Sequence, residues 1–153
     1  MYLAIVVLLM AVLPLGSVLI EHAVNGMGML ELVGKWFVFW PVGVRLLLAG
    51  MRQIFTPAFT AKTIFKIEDP SVFHIVQELG FGNTAIGLLG ILTLFAPDWI
   101  IPAAITGAIF YGLAGIGHIL SKERNGMKTI AMVSDLAISA LLAIFLLLSL
   151  SSA

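Results

Sequence analysis

The chain has 153 residues, 61% of them hydrophobic and 10% charged, with zero net charge and no cysteine; its mean hydropathy is +1.13. Soluble domains carry about 25% charged residues, so this composition cannot clothe a water-facing surface and places the chain in a lipid bilayer. The charge balance offers no basic stripe for nucleic acid, and the missing cysteines remove disulfides, thiolate nucleophiles and cysteine-held metal.

A spanning helix needs about 20 mostly apolar residues, and five segments qualify. The first, Tyr2–Ile20, lacks a basic leader and has no small-residue cleavage motif after it. It reads as a retained span rather than a signal peptide. Val33–Ile54 is the second, with Trp36, Phe37, Phe39 and Trp40 forming an interfacial aromatic belt or a stacking surface for a ring-shaped ligand. Glu21 and His22, at the end of the first span, read as solvated. "FTPAFTAKTIFKIEDP" follows the second span and is too apolar for a free loop, so an interfacial segment is predicted there. The third span, Ser71–Phe95, opens at "EDPS", where Asp69 can cap and Pro70 takes the first helical position. "APDW" turns the chain into the fourth, Trp99–Leu120, and "SKERNGMK" leads to the fifth, Lys128–Leu150.

No alternating strand pattern appears. The predicted fold is all-α: an integral membrane bundle of five transmembrane helices, with a four-helix core at residues 33–153 and a peripheral N-terminal span within residues 1–32. Arg52, Lys62, Lys66, Lys122, Arg124 and Lys128 flank one side of the membrane and Lys35 the other. That bias places the N-terminus in the cytoplasm and the C-terminus outside.

Arg45 stands in the middle of an apolar run and needs a partner in lipid. Counting about 1.5 Å of rise per residue from the cytoplasmic helix ends puts Arg45 and Glu78 roughly 12 Å deep and Asp135 roughly 10 Å deep. Three helices would therefore bring a charge to one layer, pairing Arg45 with Glu78, Asp135 or both. Arg52, Gln53, His74, Gln77 and His118 form a second polar layer nearer the cytoplasm, and Asn83 and Tyr111 lie deeper. Small residues in "GFGNTAIGLLG" and at Ala104, Ala108 and Gly112 suit close helix packing.

Two readings of the charged layer stand side by side. It is either a structural ion-pair network that fixes helix register, or a pocket facing the cytoplasm that binds a small lipid-soluble or anionic ligand, such as a quinone. In the pocket reading Arg45 and Arg52 hold oxygens, while Glu78, Asp135 and His74 exchange protons. His74 and His118 also meet the residue requirement for a bis-histidine haem. No metal cage, serine nucleophile arrangement or phosphate loop is present in the sequence. The alternatives to a ligand-binding protein are an accessory subunit of a larger membrane complex and a carrier of small solutes or protons. Homo-oligomerisation is open in each case.

"KWFVFWPVGVRLLLAGMRQIFTPAFTAKTIFKIEDP" and "VQELGFGNTAIGLLGIL" resemble an uncharacterised family of small prokaryotic integral membrane proteins, over roughly residues 33–148. The core, with its Glu-led glycine-rich helix, is more distantly similar to DoxX-like four-helix membrane proteins. Some of those are membrane subunits linked to quinone-dependent oxidation, so the resemblance implies a prokaryotic cytoplasmic membrane and a subunit of a quinone-linked oxidoreductase.

Overall fold

A computed structural model of the protein describes residues 2–121 and 126–151. Lys122 and Arg124, used above to orient the chain, lie outside the described residues. Every regular element among the described residues is helical. Five helices are long and apolar enough to cross a membrane: span one, Leu3–Asn25; span two, Met29–Phe55; span three, Pro70–Leu92; span four, Pro97–Leu120; and span five, Lys128–Ser151. Neighbouring spans alternate in direction. One end of the bundle therefore carries Lys62 and the other Glu31, and these residues name the two ends below.

Short turns join the spans. Gly26, at φ +65°, ends span one in the left-handed conformation that glycine adopts without a Cβ penalty. Asp69 caps span three by accepting the Ser71 backbone N–H at 2.9 Å, with Pro70 next in the chain as predicted.

Span two is not a uniform α-helix. From Val38 to Arg45 it widens to π-helical spacing around Pro41. Proline has no N–H to give the ladder, and its ring crowds the carbonyl one turn back, so the hydrogen-bond register changes here. The buried Tyr111 hydroxyl of span four donates to the Pro41 carbonyl across the helix boundary.

The spans pack as close pairs. Spans two and three lie almost backbone to backbone: a Cβ on Gly87 would stand 2.4 Å from the Leu47 backbone nitrogen, and one on Gly50 would stand 2.7 Å from the Gly80 carbonyl oxygen. Spans four and five form the other intimate pair, whereas spans three and four touch sparingly.

The buried apolar cluster lies between spans one, two, four and five. Leu32, Val38, Val42, Tyr111 and Leu142 are fully buried there. The sequence places span one at the edge, yet Val6, Met10 and Val18 belong to this cluster. Span three reaches it through the partly buried Ile86 and Leu89. Its own buried positions are mainly small, because closeness to span two takes the place of bulky side chains.

After span two the chain forms a short helical stretch, Pro57–Phe59 and then Thr60–Phe65, with Thr60 and Ala61 buried beneath it. The Arg52 guanidinium stacks 3.5 Å over the Phe59 ring, and Lys62 pairs with Glu68 at 3.3 Å. The apolar, threonine-containing segment thus folds as a helix against the bundle, with Phe55, Phe65 and Ile67 still exposed.

Candidate functional site

Arg45 sits where the widened turn of span two returns to α-geometry. Its Nη2 lies 3.1 Å from Oδ1 of Asp135 on span five, and both side chains are largely buried. The contact is an ion pair. The guanidinium also lies 5.2 Å from the centre of the Tyr111 ring, a favourable cation–π arrangement. On the other side of the carboxylate, His118 Nε2 of span four is 3.8 Å from Asp135 Oδ2. His118 is a quarter exposed where Asp135 is nearly sealed. Three spans therefore supply one polar cluster inside the membrane, and its histidine leads toward the Lys62 end.

The other expected members take different places. Glu78 is exposed on span three and does not join Arg45. The depth count assumed that spans two and three begin in one plane. Gly80 instead packs against Gln53 and Ile54, and Gln77 donates to the Ile54 carbonyl at 3.2 Å. Glu78 is thus level with the last turn of span two, below Arg45. His74 lies one turn further out and is exposed as well. His118 is turned to Asp135 and His74 lies on an exposed face of another span, which separates the environments of the two candidate haem ligands.

Gln53 and Asn83 meet directly, Asn83 Nδ2 donating to Gln53 Oε1 at 2.7 Å, both buried. This pair clamps the Lys62 end of the glycine seam. The Asn83 Oδ1 and the neighbouring Thr84 Oγ1 have no hydrogen-bond partner among the described residues. Arg52 is exposed against Phe59 rather than joined to the Arg45 layer. Tyr111 lies beside the guanidinium, but its hydroxyl is committed to Pro41. Among the described residues, no group of three His, Asp or Glu side chains gathers with the geometry to hold a metal ion.

A second polar group, at the Glu31 end, was missed by reasoning from sequence. Lys35 donates to both Glu21 carboxylate oxygens at 2.7 and 2.9 Å, and Trp36 Nε1 donates to one of them at 2.7 Å. Trp40 Nε1 donates to Ser17 Oγ at 3.0 Å, and His22 Nδ1 lies 2.8 Å from the Met27 carbonyl oxygen. Glu21 and His22 are engaged rather than merely solvated. The aromatic belt ties span one to span two, with Phe39 edge-on to both tryptophans and Phe37 turned into the core. Two indole donors facing the polar end of span one were the available signal.

No curated protein and no solved structure matches the chain, DoxX-like proteins included. A family match covers residues 1–153, span one with the rest: the chain belongs to DUF6790, a family of unknown function.

Proposed function

We propose that this multi-pass membrane protein holds a small lipid-soluble or anionic ligand, of the quinone class, at the cluster of Arg45, Asp135 and His118. The observation that carries the reading is the sequence of burial along the cluster. A nearly sealed carboxylate stands between a guanidinium and a partly exposed imidazole. Ionisable groups inside a membrane mark function by default, and this arrangement supplies a cation to hold a carbonyl or anionic oxygen beside two groups able to exchange a proton. With Glu78 outside the layer, Asp135 and His118 take the proton-handling role, while Gln53, Asn83 and Tyr111 support the surrounding helices. Arg52, Lys62, Lys66 and Lys128 at the Lys62 end, against Lys35 at the other, favour a cytoplasmic opening. The setting that fits is a prokaryotic cytoplasmic membrane, with the chain as subunit of a quinone-linked oxidoreductase.

Titration of the purified protein with a short-chain benzoquinone, followed by absorbance and by mass spectrometry of what stays bound, tests this. Saturable binding that His118→Gln weakens at least about tenfold with the thermal midpoint kept, and that Asp135→Asn weakens as much at a temperature where it is still folded, supports it. Equal binding by the native protein and both variants would sink it. A Soret band on protein taken gently from its own membrane would replace the quinone with haem.

A second reading has its own support. One arginine facing one aspartate leaves the buried charges balanced, as a structural latch requires. In that case the chain is an accessory subunit whose ion pair holds helices in register, and no small molecule copurifies. A solute carrier has less support, because five spans do not divide into two equal halves as an inverted repeat would.

A further inference from the structure

Between span two and span five, away from the charged cluster, runs a trough of about 540 Å³. Met29 and Val33 form one wall, and Ala137, Ala140, Ile144 and Leu148 form the other. Its shape follows from residue size. Gly34 lets the Phe145 ring press against span two, where a Cβ would stand 2.3 Å from the ring, and the two alanines leave the neighbouring space unfilled. On span five the trough runs from Ala137 to Leu148, and on span two it is lined by Val33 and Met29, in the first turns at the Glu31 end.

There it shares the Leu30 and Phe145 side chains with a smaller cavity of about 270 Å³ lined also by Glu31, Ser149 and Ile100. The lining thus changes along its length, from wholly apolar in the membrane to acidic and hydroxylated at the mouth. Glu31 is exposed, and Asp98, two residues before Ile100 in the chain, is exposed as well. The nearby cation, Lys35, is held by Glu21. The mouth therefore presents negative charge to whatever fills the trough.

We infer that this trough is a binding site for a phospholipid with an amine headgroup, its acyl chain lying against Ala137 and Ala140 and its ammonium facing Glu31. Volumes of this size are usual for small-molecule sites, and the order of polarity matches an amphiphile standing in its leaflet. The negative rim disfavours the phosphoglycerol headgroup, which carries no cation. The site is independent of the Arg45 cluster and of its ligand.

Native mass spectrometry of the full chain, released from vesicles of equimolar phosphatidylethanolamine and phosphatidylglycerol, tests the inference. The native protein is expected to retain one phosphatidylethanolamine in about fivefold preference. Glu31→Gln is expected to keep a bound lipid but lose the preference, and Ala140→Phe, on an exposed position, to lose the bound lipid. No retained lipid, equal retention of both headgroups, or a preference that survives Glu31→Gln would overturn the proposal. So would crosslinking across the trough that revealed a second copy of the chain as its occupant.

Discussion

Arg45 and Asp135, on spans two and five, meet at 3.1 Å inside the bundle with His118 on the far side of the carboxylate. Spans two and three pack backbone to backbone, and spans four and five are equally intimate, so this contact ties one close pair to the other.

Removing one charge should therefore cost much more than removing both. Arg45→Leu is expected to destabilise the protein by about 3–5 kcal/mol, because it leaves a buried carboxylate without its cation. Adding Asp135→Leu should recover most of that loss. Adding Glu78→Leu instead should recover none of it, since Glu78 is exposed at a different level. Thermal unfolding of the purified variants in one detergent reads all three, and rescue by the Glu78 change would refute the pairing.

The glycine seam offers a sharper contrast. Any side chain at Gly87 meets the Leu47 backbone, which cannot turn aside, whereas a Cβ at Gly82 meets nothing within 4 Å. Gly87→Val is expected to lower stability by about 1–3 kcal/mol or more through overpacking. Gly82→Ala should be neutral or slightly stabilising, by helix propensity. Equal thermal midpoints for the two variants would contradict the close approach of spans two and three.

Gln53 and Asn83 are mutually bonded, and so they should behave as a unit. Asn83→Leu strands the buried Gln53 oxygen and is expected to cost about 1 kcal/mol, within the range for intramembrane hydrogen bonds. A double-mutant cycle with Gln53→Leu should show coupling of similar size. Additive single effects would mean the two amides act separately.

At the Glu31 end, Glu21 gathers a lysine and an indole. Glu21→Ala should loosen span one from span two by about 1 kcal/mol, the modest value of a partly exposed pair. It should also change the emission of Trp36, which loses its acceptor. Unaltered fluorescence would show that the clasp does not form in solution.

Asp69 lies outside the spans, and the Ser71 N–H bonded to it holds its carboxyl below the ordinary value of 3.8. A carboxyl depressed in the folded state contributes stability above its unfolded pKa and loses it as pH falls through the lowered value. Asp69→Ala should therefore melt below the native protein at neutral pH and converge with it in acid. A gap that persists in strong acid would assign the cap another role.

The class of the protein and its five spans were legible because long apolar runs have only one stable solution in lipid. That Arg45 would meet a carboxylate was legible for a related reason, since a buried charge needs an opposite charge at its own depth, but the choice between Asp135 and Glu78 was left open. Glu78 was misplaced because helix rise measures depth only when the helix ends are coplanar, and span three extends past the end of span two. The seam was half visible. The glycines of span three stood out, but their partners Gly43 and Gly50 are spaced too widely to suggest a motif. Pro41 is the one local mark of the widening at Val38–Arg45, and the tyrosine hydroxyl that donates to its carbonyl comes from span four, out of reach of local sequence. The same holds for Glu21, whose partners come from the next helix.

The placement of Asp135 on span five has a consequence for biosynthesis. Arg45 leaves the ribosome long before its carboxylate, and spans three and four must be made in between. During that interval the arginine has no Asp135 to meet, and an incomplete chain carries an intramembrane cation in search of an anion. The finished pair thus marks the arrival of span five.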